Sequence, residues 1–136
     1  MLSPGTYLKL RRQAAGLSIE EVAAMVHTAP RLGEIDRCGW ITRIESDVAA
    51  LSPDVIATLS DAFRFSRRTL HQLIDARSYG DASAVTRICL ICGCSDADPC
   101  VDPGSHHCCG WSTADSCTAC SPVPTASPTP TAIKEA

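Results

Sequence analysis

The stretch Leu10-Arg11-Arg12-Gln13-Ala14-Ala15-Gly16-Leu17-Ser18-Ile19-Glu20-Glu21-Val22-Ala23 decides the fold of the N-terminal half. Gly16 is a natural left-handed stop for a preceding helix, because a residue without Cβ takes that conformation at little steric cost. Ser18 and Glu21 then have the spacing of a capping box. The serine hydroxyl and the glutamate carboxylate each satisfy a backbone N–H that has no partner within the helix. The stretch therefore reads as the end of one helix, a tight turn and the start of a second.

Working outward, Ser3-Pro4 opens the first helix, since proline at the first helical position loses no hydrogen bond. Leu8, Leu10, Ala14 and Ala15 are its apolar face. The second helix runs from about Ile19 to Val26, with Val22, Ala23 and Val26 inward and Pro30 beyond its end. Ile35, Cys38, Ile41 and Ile44 recur at helical spacing and predict a third helix over about 34–46. Gly39 within it costs up to about 1 kcal/mol relative to alanine. Ser52-Pro53 opens a fourth helix, with Val55, Ile56, Leu59, Ala62 and Phe63 apolar. Ser66 caps a fifth, with Leu70, Leu73 and Ile74 inward. Five short helices with brief connections predict a compact all-α domain over 1–78. Residues 79–87 read as a linker, 88–120 as a cysteine-rich module, and 121–136 as a disordered Pro/Ser/Thr-rich tail.

The run from Leu10 to Ala23, together with Trp40-Ile41-Thr42-Arg43-Ile44-Glu45-Ser46, resembles the Xre-type, repressor-like helix-turn-helix family. The resemblance covers about residues 5–75. It implies a five-helix helix-turn-helix bundle that binds double-stranded DNA, with the third helix reading base edges in the major groove. By resemblance, Ser18 and Ile19 lie near phosphate, and Lys9, Arg11 and Arg12 are further phosphate contacts. Arg31, Arg37, Thr42 and Arg43 are the polar candidates on or before the recognition helix. Two features depart from the family pattern. Ile19 stands where the family has a polar residue, and the segment His27 to Gly39 is longer than a tight turn and carries Glu34 and Asp36. Trp40 reads as a packing residue, and His27 and His71 stand alone as ordinary histidines.

The C-terminal half is dominated by cysteine. Of nine cysteines, only Cys38 precedes residue 89. Cys89-x-x-Cys92 and Cys117-x-x-Cys120 bracket the module, and two such turns present four thiolates to one tetrahedral ion. Cys94, Cys100 and Cys109, with Cys108 or a histidine (His106 or His107) as fourth ligand, are the candidates for a second site. The expected cofactor is one or two Zn²⁺ ions, with ligands that can interleave between sites; an iron–sulfur cluster is the alternative. The segment resembles a Cys-rich tail of phage and bacterial proteins with the pattern Cys-x-x-Cys-Gly-Cys, a middle Cys, Cys-x-Trp and a final Cys-x-x-Cys. Cys108 is the extra cysteine in that pattern. Ile88, Leu90, Ile91, Val101 and Trp111 are too few to fold the module by burial, so metal must supply the folding energy.

Composition narrows the function. Apolar residues at 45% permit a core, and aromatic residues at 4% make it an aliphatic one. The sequence has no membrane-length apolar run and no secretory signal, which predicts a cytoplasmic protein of a bacterial cell or a phage-infected host. In that compartment metal binding is expected over disulfides, the competing framework for a secreted domain. The formal charge of −3 is unevenly spread: residues 1–80 carry ten Lys/Arg against nine Asp/Glu, and 81–136 carry two against six. Nucleic-acid contact therefore belongs to the helical half, and a partner-binding or homodimerising role to the cysteine module. Thiolate-only sites lack the open position that a reacting water needs, and no nucleophile motif or phosphate loop is present, so no enzyme is expected. The expectation is a small DNA-binding regulator. A zinc-stabilised adaptor or host-directed factor that binds protein alone is the competing class.

Overall fold

A computed structural model describes residues 2–28 and 31–121. The disordered tail expected over 121–136 lies outside the described residues, apart from Ser121. Among the described residues the regular elements are five helices: α1 Pro4–Ala14, α2 Ile19–Met25, α3 Glu34–Glu45, α4 Pro53–Ser60 and α5 Arg67–Tyr79. Among the described residues, β-structure is limited to isolated bridges within residues 88–117.

Local chemistry sets the helix ends. Ser3, Ser52 and Ser66 each accept a bond from a first-turn amide of α1, α4 and α5. At α2 the capping box is complete, with Glu21 N to Ser18 Oγ at 3.1 Å and Ser18 N to Glu21 Oε1 at 3.0 Å. Gly16 and Gly80 take φ of +75° and +72°, the left-handed conformation that ends a helix. α3 begins at Gly33 without a side-chain cap; Glu34 and Asp36 in its first turn offset the helix dipole instead.

α2 packs on α3, and α1 packs on both α3 and α5. The core is formed by Tyr7, Leu8, Val22, Ala23, Val26, Ile41, Ile44, Ile56, Leu59, Phe63, Phe65, Leu70 and Leu73. Trp40 is half-buried against it. Expected inward positions on two helices differ. Ile35 is 87% exposed, because the first turn of α3 projects beyond the core. On α1, Ala14 and Ala15 are exposed and Leu10 is half-buried, while Tyr7, Arg11 and Arg12 face inward.

The arginines can face inward because each meets a carboxylate. Arg12 grips Glu45 at the end of α3 through Nε–Oε2 at 2.6 Å and Nη2–Oε1 at 2.9 Å, and donates to the Leu17 carbonyl at 2.8 Å. Its hydrogen bond to Glu45 raises the Arg12 pKa further. Where α1 meets the end of α3 there is no room for a side chain. A Cβ on Gly5 would lie 2.5 Å from the Ile44 carbonyl oxygen and 2.7 Å from that of Glu45. The Gly5 amide instead donates to Asp47 Oδ1 at 2.7 Å.

The segment 79–87 is tied to α5. The Thr86 amide and hydroxyl donate to Gln72 Oε1 at 3.0 and 2.7 Å, Val85 packs against the helical core, and Ile88 is buried in it. Among the described residues no helix is long and apolar enough to cross a membrane.

Candidate metal centre

Three short pieces of chain build the cysteine cluster. The first is the turn Cys89–Cys94, in which the Gly93 amide donates to the Cys89 carbonyl at 2.8 Å and the Cys89 amide to the Cys94 carbonyl at 2.9 Å. Gly93 has φ +78° and lies against α1, where a Cβ would come within 2.8 Å of Arg11 Cδ. The second is a hairpin-like segment with Cys109 N donating to Cys100 O at 2.8 Å and a bridge between Val101 and Cys108. The third is the turn Cys117–Cys120, with Ser121 N donating to Cys117 O at 2.9 Å.

These pieces bring two overlapping groups of four sulfurs together: Cys89, Cys92, Cys94 and Cys117, and Cys94, Cys100, Cys109 and Cys117. Within each group all sulfurs lie within 4.8 Å of one another. Cys120 belongs to neither group but packs against the same cluster. Sγ–Sγ approaches include 3.7 Å for Cys92–Cys100, 3.9 Å for Cys92–Cys117 and 3.7 Å for Cys94–Cys109. A tetrahedral ion with bonds of about 2.3 Å sets its ligand sulfurs about 3.8 Å apart, so the pocket has the dimensions of a thiolate metal site.

All nine cysteines are free thiols. Backbone amides already point at sulfur: Cys94 N at Cys92 Sγ (3.4 Å), Cys100 N at Cys109 Sγ (3.3 Å) and Cys117 N at Cys89 Sγ (3.4 Å). Burial and neighbouring sulfurs push the Cys94 and Cys120 thiols up, and Cys100 up to about 12. Burial also opposes ionisation of Cys117, but the amides of Cys120 and Ala119 and the thiols of Cys94 and Cys120 outweigh it and bring Cys117 to about 6. Packed thiolates repel one another, and a bound cation is what lets several of them ionise together. The cluster is thus able to hold metal.

The bracketing cysteines Cys89, Cys92, Cys117 and Cys120 share this cluster with Cys94, Cys100 and Cys109. Cys108 and His106 do not join it. Cys108 is exposed because alternation along the hairpin points Cys109 inward and its neighbour outward. His106 sits exposed at the hairpin tip with φ +58°, and His107 is exposed beside it.

Asp98 and Arg11 hold this cluster on the helices, a role the sequence did not signal. Asp98, 3% exposed, faces Arg64 Nε at 2.5 Å and Arg11 Nη2 at 3.1 Å. The Arg11 contact to Oδ2 is a charge contact without hydrogen-bond alignment. Arg11 also donates to the carbonyls of Cys92 at 3.0 Å and Arg64 at 3.3 Å. Ser95 Oγ lies 3.4 Å from Thr69 Oγ1 of α5. On the far side, Arg87 lies 4.4 Å over the Trp111 ring, whose Nε1 donates to Asp96.

This interlock corrects part of the expected DNA surface. Arg11 and Arg12 are buried and paired within the protein, so neither guanidinium is presented to phosphate. Ser18 is engaged as a helix cap, and Arg37 is half-buried with Nη1 on the Leu32 carbonyl. Lys9, Arg31, Thr42 and Arg43 are exposed. Thr42 returns its hydroxyl to the Cys38 carbonyl, and Arg43 Nη1 lies 3.5 Å from the space above Gly39. No family model, curated protein or solved structure matches the chain.

Proposed function

We propose that the protein is a small DNA-binding regulator whose helical domain is completed by a zinc-folded module. One observation carries the DNA reading. α3 packs inward through Ile41 and Ile44 and leaves Asp36, Thr42 and Arg43 exposed, with Gly39 half-buried beside Arg43. A helix anchored on one face, with an arginine beside a glycine on the other, suits close approach to a groove. Arginine reads guanine edges bidentately, and a glycine lets the helix backbone come near.

Zinc is favoured over an iron–sulfur cluster by the spacing of the thiols. Sulfurs all within 4.8 Å fit around single ions, whereas a cluster of iron and inorganic sulfide sits between its cysteine ligands and spreads them apart. Elemental analysis of the purified protein tests this: zinc with no visible absorbance supports the reading, and a brown, iron-containing protein overturns it.

The DNA reading is tested by gel shift against the DNA upstream of the protein's own gene across a salt series. Affinity that is strongest at low salt and falls as salt rises supports it, and no binding at low salt overturns it. Arg43→Ala weakens binding with the thermal midpoint unchanged; unaltered affinity removes Arg43 from the interface. A second reading, an adaptor that binds protein alone, draws on the acidic first turns of α2 (Glu20, Glu21) and α3 (Glu34, Asp36). Those carboxylates would repel phosphate at the helix ends where repressor-like domains approach it.

A further inference from the structure

We propose that the cysteine module holds two metal ions as a binuclear cluster in which the Cys117 thiolate bridges them. Cys89, Cys92, Cys117 and Cys120 ligate the first ion, and Cys94, Cys100, Cys109 and Cys117 the second. The inference rests on the metal-folded reading above and adds the number of ions and how their ligands are shared.

Seven sulfurs gather in the cluster: those of Cys89, Cys92, Cys94, Cys100, Cys109, Cys117 and Cys120. Two separate tetrahedral sites would need one more thiolate. The remaining cysteine of the module, Cys108, is exposed and does not pack against the cluster. Sharing one sulfur removes the deficit, because a thiolate has lone pairs enough to bind two cations.

Geometry selects the shared atom. Cys94 and Cys117 occur in both sulfur groups. Cys120 lies outside both groups but packs against the cluster at the end of the turn that carries Cys117, with its amide on the Cys117 carbonyl at 3.2 Å, so it is the sulfur placed to complete the first set and release Cys94 to the second. Cys94 lies 3.7 Å from Cys109, a tetrahedral edge of the second site, and Cys92 lies 3.9 Å from Cys117, an edge of the first. The 3.7 Å approach of Cys92 to Cys100 is then the contact between two tetrahedra that meet at a common corner.

Charge is compatible with this. Seven thiolates around two divalent ions leave the cluster anionic. Amides directed at Cys89, Cys92 and Cys109 and the buried Arg11 guanidinium on the Cys92 carbonyl lie where they offset that charge.

The full-length protein, reconstituted anaerobically with spin-half cadmium, tests the proposal by native mass spectrometry and cadmium NMR. Two ions per chain are expected, giving two tetrathiolate resonances split by cadmium–cadmium coupling through the bridging sulfur. Cys108→Ser keeps both ions and the coupling. A single ion overturns the binuclear assignment and leaves the metal-folded module standing. Two uncoupled ions overturn the bridge alone. Loss of one ion in Cys108→Ser overturns the seven-sulfur ligand set. Failure to bind any metal overturns both this proposal and the reading it rests on.

Discussion

The two halves of this molecule reach a folded state by different means. In the helical half, burial is distributed: Tyr7, Leu8, Val22, Ile41, Ile44, Leu59, Leu70 and Leu73 are almost wholly excluded from water. Each contributes roughly 1.5–3 kcal/mol by burial, so the fold survives the weakening of any one contact. In the cysteine half the buried apolar groups are sulfurs, while Leu90, Ile91 and Val101 are exposed. If metal folds this half as proposed, little apolar burial is there to substitute for a lost ligand. A domain built from many modest terms and one built around a single focus can share a chain, and here they also share a boundary through Arg11, Asp98, Arg64 and Ile88.

The largest effect follows from removing that focus. Chelation or acid should unfold residues 89–121 while leaving most helical circular dichroism intact, since α1 to α5 bury their own core. Acid acts in this direction because ligand thiols must lose protons to bind metal, so affinity falls as pH falls. The check is amide hydrogen exchange with and without chelator. Protection should vanish at Cys89, Gly93 and Cys109 and persist at Val22 and Leu73. Equal loss in both halves would show that the comparison is drawn at the wrong place and the chain is one cooperative unit.

A smaller effect tests the shared boundary. Asp98→Ala leaves Arg11 buried without its counter-charge, though still bonded to two carbonyls. The expected cost is about 3 kcal/mol, the lower end for breaking a buried pair. Arg64→Ala removes the other partner of Asp98, but the Arg64 side chain is 67% exposed, so its loss should cost below about 1 kcal/mol. Urea midpoints of the metal-loaded proteins check both values. Equal costs would mean that the exposed arginine, and not Arg11, is the main clasp.

Those residues also mark the limit of what can be read from the chain. Helix ends were legible because capping is local: Ser3-Pro4, Ser18 with Glu21, Ser52-Pro53 and Ser66 all act within one turn of themselves. The cysteine cluster was legible because Cys-x-x-Cys is likewise a local geometry. Arg11 and Arg12 were not. A basic pair on an amphipathic helix looks solvated, and only the folded chain brings Glu45 and Asp98 to them. Gly5 carries no local signal either; only in the folded chain do the carbonyls of Ile44 and Glu45 fill the space its side chain would need. Cys108 is set apart from Cys109 only by the resemblance, in which it is the extra cysteine; which of two adjacent residues faces inward depends on hairpin register, and that appears only in the folded chain.

A small and purely local effect sharpens the contrast from the helical side. Ser18→Ala removes the oxygen that accepts the Glu21 amide and opens the capping box of α2. The site is half-exposed, so water replaces part of the lost bond and the cost should be about 1 kcal/mol. The urea midpoint should move by that amount while metal stoichiometry and cadmium spectra stay unchanged. Such a result would show the helical half losing stability in a small local increment, with α2 still seated on α3 through Val22 and Ala23. A change in metal content would instead reveal that strain at α2 reaches the cysteine cluster through α1, whose Arg12 holds the Leu17 carbonyl on one side and whose Arg11 holds the Cys92 carbonyl on the other.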